Sequence, residues 1–262
     1  YELRITNHSV MARAGVSLPL LAKKTAEQGL TGFEFAIGVP GTVGGAIYGN
    51  AGAFGQEIKD VLQSVRVIVP KQDITLSLKK QTAQKLSLRG AGRRSNLLLK
   101  TQFEISSIPT VARNDQKTRW ITVELPHTEC KFAYRESIFK HHKKWIILSA
   151  TFKLAQNTKE QCEKRMNEML KNKTANQPMG KHAAGSIFKN PPGASAWKLI
   201  NDAGIREKQI GKAQISKQHT NYFINTGGAT AQDMVDLIAF AKAEVLKNSG
   251  IQLQEEIQYV GF

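Results

Sequence analysis

Between positions 17 and 29 the apolar residues Leu18, Leu21, Ala22 and Ala26 recur at three- and four-residue spacing, which puts one stripe on one side of a helix. Ser17 stands where an N-cap belongs, Pro19 sits in the first turn, and Gly29 can end the helix. Residues 61–69 (VLQSVRVIV) and 145–153 (WIILSATFK) are rich in β-branched and aromatic residues and predict strands. Asn157 and Thr158 can cap a helix over 159–172, with Cys162, Met166, Met169 and Leu170 as its apolar stripe. Residues 173–195 carry Gly, Pro and Asn without a period and predict a loop. A short helix over 197–203 stops at Gly204, and residues 222–225 (YFIN) predict a strand. Thr230 and Asp233 have capping-box spacing for a helix over 231–248. Its inward face is Met234, Leu237, Ile238, Ala241 and Val245, with Gly250 as its stop. A last strand is expected near 256–260. Strands and helices mix without strand–helix–strand alternation, which places the chain in the α+β class.

Residues 71–119 break the pattern. They are polar and basic with weak periodicity, and predict a mobile excursion with little buried apolar area. The chain carries a formal net charge of +16, and half of that excess, +8, falls in this stretch. A basic segment that binds nucleic acid interleaves aromatics for stacking. Phe103 is the one aromatic of 71–119, so nucleic-acid binding is not expected. The remainder is mildly basic, as suits ligands that carry phosphate.

At 262 residues the chain is long enough for one large or two ordinary domains. Its 41% apolar and 22% charged content is that of a globular protein. No apolar run approaches the length of a bilayer, so no membrane partner is expected. The chain opens on Tyr1 rather than Met and without a secretory signal, which reads as a truncated or processed start. Cys130 and Cys162 form no disulfide framework and have no metal-ligand spacing, which leaves a reducing cytoplasm as the default. The six histidines show no HxxxH or HExxH pattern, so a metal is not expected.

Four places could carry chemistry. Residues 38–55 (GVPGTVGGAIYGNAGAFG) are rich in glycine, which lets backbone N–H groups approach a ligand. The run is neither GxGxxG nor a P-loop, and alone it serves equally as a structural loop. In FAYRESIFK (132–140), Arg135 lies among Tyr134, Ile138 and Phe139 and could hold a carboxylate bidentately; an ordinary surface arginine is the other reading. In AGSIFKNP, Ser186 follows Gly185 without an elbow motif, and its bland role is a turn former. Of Glu255 and Glu256, adjacent in an extended segment, one at most faces a site.

The order and wording of these motifs carry more than each alone. GLTGFEFAIGVPGTVGGAIYGNAGAFGQEIKDV (29–61) resembles the FAD-binding segment of the UDP-N-acetylenolpyruvoylglucosamine reductase family. FAYRESIF, QPMGKHAAGSIFKNP, AGIREKQIGKAQISKQHTNYFINTGGATAQDM and LQEEIQYVG are similar to later segments of that family, in the same order. The resemblance covers nearly all of the chain except about 71–119, which reads as an insertion or as a segment garbled by a frameshift. It implies the C-terminal part of a vanillyl-alcohol-oxidase-like FAD-binding domain over 1–155, followed by an α+β substrate-binding domain over 156–262. It further implies NADPH-linked, FAD-dependent reduction of UDP-N-acetylglucosamine enolpyruvate to UDP-N-acetylmuramate in bacterial peptidoglycan synthesis, in the cytoplasm, and thereby roles in cell shape and division.

By the same resemblance Arg135, Ser186 and Glu256 are catalytic. Gly41, Thr42, Gly44, Gly45 and Asn50 hold FAD, and Asn190 and His219 contact substrate. The family's usual start, which helps to complete the flavin site, lies before this chain begins. In the last motif Gln254 and Glu255 stand where the family usually has Glu and Pro. The alternatives are an inactive remnant of the family, or a nucleic-acid-binding module built on 71–119. The sequence leaves the oligomeric state open.

Overall fold

The computed structural model describes residues 3–6, 8–73 and 119–261, in two compact units, 1–167 and 168–262. The expected excursion over 71–119 thus lies almost wholly outside the described residues. Among the described residues no helix is long and apolar enough to cross a membrane.

The first unit is built on an antiparallel five-stranded sheet. Its strands are β1 (Leu3–Ile5), β2 (Ser9–Arg13), β6 (Leu62–Pro70), β7 (Trp120–Pro126) and β8 (Ile146–Lys153), in the order β1-β2-β8-β6-β7. From Val65 to Val69 the side chains of β6 alternate, with Val65, Val67 and Val69 buried and Arg66 facing out; the register shift between Leu62 and Ser64 reverses the phase before that, so that Leu62 is buried and Gln63 exposed. Val10, Ala12, Val123, Ala150 and Phe152 complete the inner layer. Helix Leu18–Glu27 buries Leu18, Leu21, Ala22 and Ala26, as its stripe requires. The Phe33 ring meets the Phe152 ring edge-on at 4.8 Å. Two short antiparallel strand pairs accompany the sheet: β3 (Leu30–Thr31) with β9 (Ala155–Gln156), and β4 (Gly52–Ala53) with β5 (Gln56–Glu57). Single bridges join Ser17 to Thr42 and Ala133 to Glu136.

The second unit has a four-stranded antiparallel sheet. It runs β10 (His182–Ser186), β13 (Tyr222–Asn225), β12 (Ala213–Ile215), β11 (Gln209–Ile210). Helix Ala231–Ser249 packs Leu237, Ile238, Ala241 and Val245 into a core shared with Ile187, Phe188, Ile200, Ile215 and Phe223. The capping box forms in both directions: Asp233 N–H donates to Thr230 Oγ1 at 3.0 Å, and Thr230 N–H to Asp233 Oδ2 at 3.1 Å. Gly250 ends the helix with φ 70°.

Three expectations need correction. The helix after Thr158 runs Lys159–Asn176, four residues beyond the expected end. The expected loop 173–195 contains strand β10, an Ala- and Gly-rich segment held by backbone pairing with β13 and so without an apolar alternation to read. The expected strand over 256–260 is absent. A single bridge, Phe188 to Glu255, is all the pairing this terminal segment makes. The sequence also hid helix Val43–Gly49, in a run too rich in glycine to predict one.

Candidate functional site

In the first unit the chain descends from Val39 into a turn at Gly41, whose φ of 111° favours glycine. Helix Val43–Gly49 starts there. Thr42 caps it, its Oγ1 accepting from Gly45 N–H at 3.3 Å. Gly44 N–H donates to Ala14 O at 2.8 Å, and a Cβ on Gly44 would sit 2.9 Å from Ala14 Cβ. Gly44 is therefore required for close helix-to-strand approach. Gly41, Thr42 and Gly45 are exposed, and space is open where Gly41, Gly49 and Gly55 lack side chains. A bare, exposed backbone of this kind fits a large phosphate-bearing ligand that must lie close to the main chain.

The helix ends at Asn50, fully buried and left-handed at φ 44°. Its Nδ2 donates to Glu57 Oε2 at 3.0 Å and to Ala133 O at 2.9 Å, and its Oδ1 accepts from Lys59 N–H at 3.1 Å. The second of these bonds reaches the tight turn Ala133–Glu136, closed by backbone hydrogen bonds in both directions. Arg135 occupies this turn at φ 55°, stacks its guanidinium 5.2 Å from the Tyr134 ring centroid, and donates from Nη2 to Gly52 O at 3.2 Å. Ser137 Oγ donates to Tyr48 O at 2.7 Å. Arg135 and the glycine-rich run, 83 positions apart at this contact, thus form one constellation.

In the second unit Ser186 ends β10 directly opposite Tyr222, after a bulge and after Gly185 at φ 89°. Directly opposed residues share a face of the sheet, so Ser186 and Tyr222 lie on one side. The Tyr222 ring meets the His219 ring at 4.9 Å, and His219 in turn lies 6.3 Å from Trp197. Burial holds the His219 imidazole below its ordinary pKa of 6.5, with the Arg206 charge acting the same way. Its Nδ1 is buried without a hydrogen-bond partner. Ile187, next to Ser186, accepts Glu256 N–H at 2.8 Å. Glu255 is committed elsewhere: its Oε1 accepts from Lys242 Nζ at 2.8 Å. Burial opposes its ionisation, but the Lys242 bond and charge outweigh that and hold it below the usual carboxylate range. The structure thus brings Ser186, His219 and the Glu256 backbone into one neighbourhood. Asn190 lies in the loop beyond, its Oδ1 accepting from Ala196 N–H at 3.0 Å at the start of helix Ala196–Asp202.

Several residues that build these sites gave no sequence signal. Ser137 and Glu57 look like ordinary polar positions. Asn221 binds Phe188 twice, accepting its N–H at 2.9 Å and donating to its O at 2.8 Å, and so fixes the segment after Ser186. Its only hint was its place next to the YFIN strand.

Residues 177–260 match the family described as UDP-N-acetylenolpyruvoylglucosamine reductase, C-terminal domain, and residues 1–76 match the FAD binding domain. The chain is 36% identical to UDP-N-acetylenolpyruvoylglucosamine reductase of Caldanaerobacter subterraneus subsp. tengcongensis, over 96% of this chain and 67% of that one. It is 34% identical to the Listeria monocytogenes serotype 4a protein of the same name, over 97% of this chain and 69% of that one. A solved UDP-N-acetylenolpyruvylglucosamine reductase from Thermus caldophilus is similar in fold, with TM-score 0.66 and 28% identity over 95% of this chain and 71% of that one.

Proposed function

The chain belongs to the UDP-N-acetylenolpyruvoylglucosamine reductase family, and from that premise we propose how its residues share the reaction. It is an FAD-dependent oxidoreductase that reduces UDP-N-acetylglucosamine enolpyruvate to UDP-N-acetylmuramate. Residues 1–155 supply the flavin-binding part and 156–262 the substrate-binding part. Gly41, Thr42 and Gly45 offer exposed backbone to FAD, while Gly44 and Asn50 shape that backbone from behind, by close approach and by a left-handed helix end. Bound FAD supplies the hydride, drawn from NADPH. The setting is precursor synthesis for peptidoglycan in the cytoplasm, and through it cell shape and division.

The protein's own work is electrostatic and protic. The enolpyruvyl carbon accepts hydride only when the neighbouring carboxylate is polarised. Arg135 does this by charge-assisted hydrogen bonds, and Glu256 is the second acid of the reaction. Glu256 rather than Glu255 takes the role, because Lys242 holds Glu255 as a carboxylate. Ser186 donates the proton to the carbon next to the carboxylate. Asn190 and His219 contact the rest of the substrate.

The observation that carries this reading is the clamp of Arg135 onto the glycine-rich run, which joins the carboxylate-binding group to the flavin-binding segment. The test separates two half-reactions by stopped flow. Ser186→Ala should leave flavin reduction by NADPH nearly intact and slow reoxidation by substrate by about a hundred- to ten-thousand-fold. Ser186→Cys should retain more activity, because a thiol still donates. Equal slowing of both half-reactions would remove Ser186 from the chemistry.

A further inference from the structure

We propose that Ser137 and Asn50 are positioning residues for Arg135, locking its turn onto the glycine-rich backbone so that the guanidinium is held where the substrate carboxylate must arrive. The proposal rests on the reading of Arg135 given above. Arg135 sits at φ 55°, a region that residues with a Cβ adopt only when their surroundings impose it. Released, the turn would relax to negative φ and swing the side chain away. Two bonds prevent this, one on each side of the strained residue. Two positions before it, Ala133 O accepts from Asn50 Nδ2 at 2.9 Å. Two positions after it, Ser137 Oγ donates to Tyr48 O at 2.7 Å.

Both anchors are sealed from water, Asn50 at 0% and Ser137 at 1% exposure, so solvent cannot replace either bond. Asn50 has no freedom to do otherwise. Its second Nδ2 hydrogen goes to Glu57 Oε2 and its Oδ1 to Lys59 N–H, which fixes the orientation of the carboxamide. Tyr48 O, which accepts from Ser137 Oγ, and Gly52 O, which accepts from Arg135 Nη2, bracket Asn50 in the chain. The turn is therefore referenced to the same short backbone segment from three directions.

The test uses the flavin-loaded protein, with Ser137→Ala, Ser137→Cys, Arg135→Ala and the double variant Arg135→Ala/Ser137→Ala. For each, stopped flow gives flavin reduction by NADPH and reoxidation by UDP-N-acetylglucosamine enolpyruvate. Flavin content and Tm report integrity, and titration of the oxidised protein gives the substrate Kd. Displacement of a catalytic group by about 1 Å can cost on the order of a hundredfold. Ser137→Ala should slow reoxidation by roughly ten- to a hundredfold, weaken the substrate Kd by a smaller factor, and leave flavin reduction and flavin content unchanged. In the Arg135→Ala background, Ser137→Ala should change reoxidation by less than about twofold, because a residue acting through Arg135 has nothing left to position.

Ser137→Cys keeps the volume and a weak donor, so it should fold where Ala does not, and should fall between the parent and Ala. The proposal is overturned if Ser137→Ala slows both half-reactions alike, if its effect persists in full without Arg135, or if the Cys variant is as slow as Ala at equal Tm. If Arg135→Ala itself reoxidises at the parental rate, the reading of Arg135 fails, and the positioning role falls with it.

Discussion

His219 shows how much a single side chain can report about charge. Its imidazole is half-buried, its Nδ1 has no partner, and burial holds its pKa below 6.5. In the unfolded chain the same group takes up its proton first as pH falls. The unfolded state is then favoured over the window from about 6.5 down to the depressed folded value, and the effect vanishes above it. Stability should therefore drop as pH falls through this window. His219→Gln, neutral throughout, should reduce the difference in Tm between about pH 8 and pH 5, and an unchanged difference would show that His219 is not the group responsible. Glycine gives a second test at this scale. A Cβ at Gly44 collides with Ala14, so Gly44→Ala should cost about 1–3 kcal/mol in denaturant unfolding and weaken FAD binding. At Gly49 nothing lies within 4 Å, and its φ is not in the left-handed region. Gly49→Ala should instead stabilise the flavin-free protein by about 0.4–1 kcal/mol, through the unfolded chain.

Helix Ala231–Ser249 forms one wall of the second core, and its start depends on the Thr230–Asp233 box. Thr230→Ala should cost about 0.5–2 kcal/mol. Asp233→Ala should cost more, because Asp233 Oδ2 also accepts from Lys212 N–H at 3.1 Å and ties the helix start to the neighbouring β11–β12 turn. Urea unfolding of the two variants checks the order, and a costlier Thr230→Ala would contradict it. This helix was legible in the sequence because stripe, cap and stop all agreed. Helix Leu18–Glu27 and strands β6, β8 and β13 were legible for the same kind of reason. β10 was not, since five residues that bury almost nothing are specified by their partner strand rather than by their own side chains. Nor was helix Val43–Gly49, where contacts with Ala14 and Val16 override poor intrinsic propensity. Among site residues, the resemblance pointed to Arg135 and Ser186. What holds them in place was invisible: Ser137 and Asn221 bond partners 89 and 33 positions away, and Glu57 acts on Arg135's turn only through Asn50, so none leaves a spacing in the sequence.

At the scale of the whole molecule, β6 and β7 form a continuous antiparallel pair out to Pro70 and Trp120, and Lys71 N–H still reaches Arg119 O at 2.9 Å. The two strands that flank 74–118 in the chain are therefore still side by side at Lys71 and Arg119. Replacing that segment by a short type I′ turn should leave Tm within a few degrees and substrate reduction unchanged; a large fall in Tm would place the segment in the core. The strand order has a further consequence, in time rather than in space. β8 lies between β2 and β6 and is hydrogen-bonded to both, yet it is the last of the five strands to be made. On the ribosome, β1 with β2 and β6 with β7 can each form a hairpin early, but neither has its neighbour. At about 5–20 residues per second, the interval between the end of β6 and the end of β8 is on the order of ten seconds. Throughout it, the nascent chain carries strand edges open to any other chain nearby, and a ribosome that stalls before Lys153 releases a product whose natural fate is to stick.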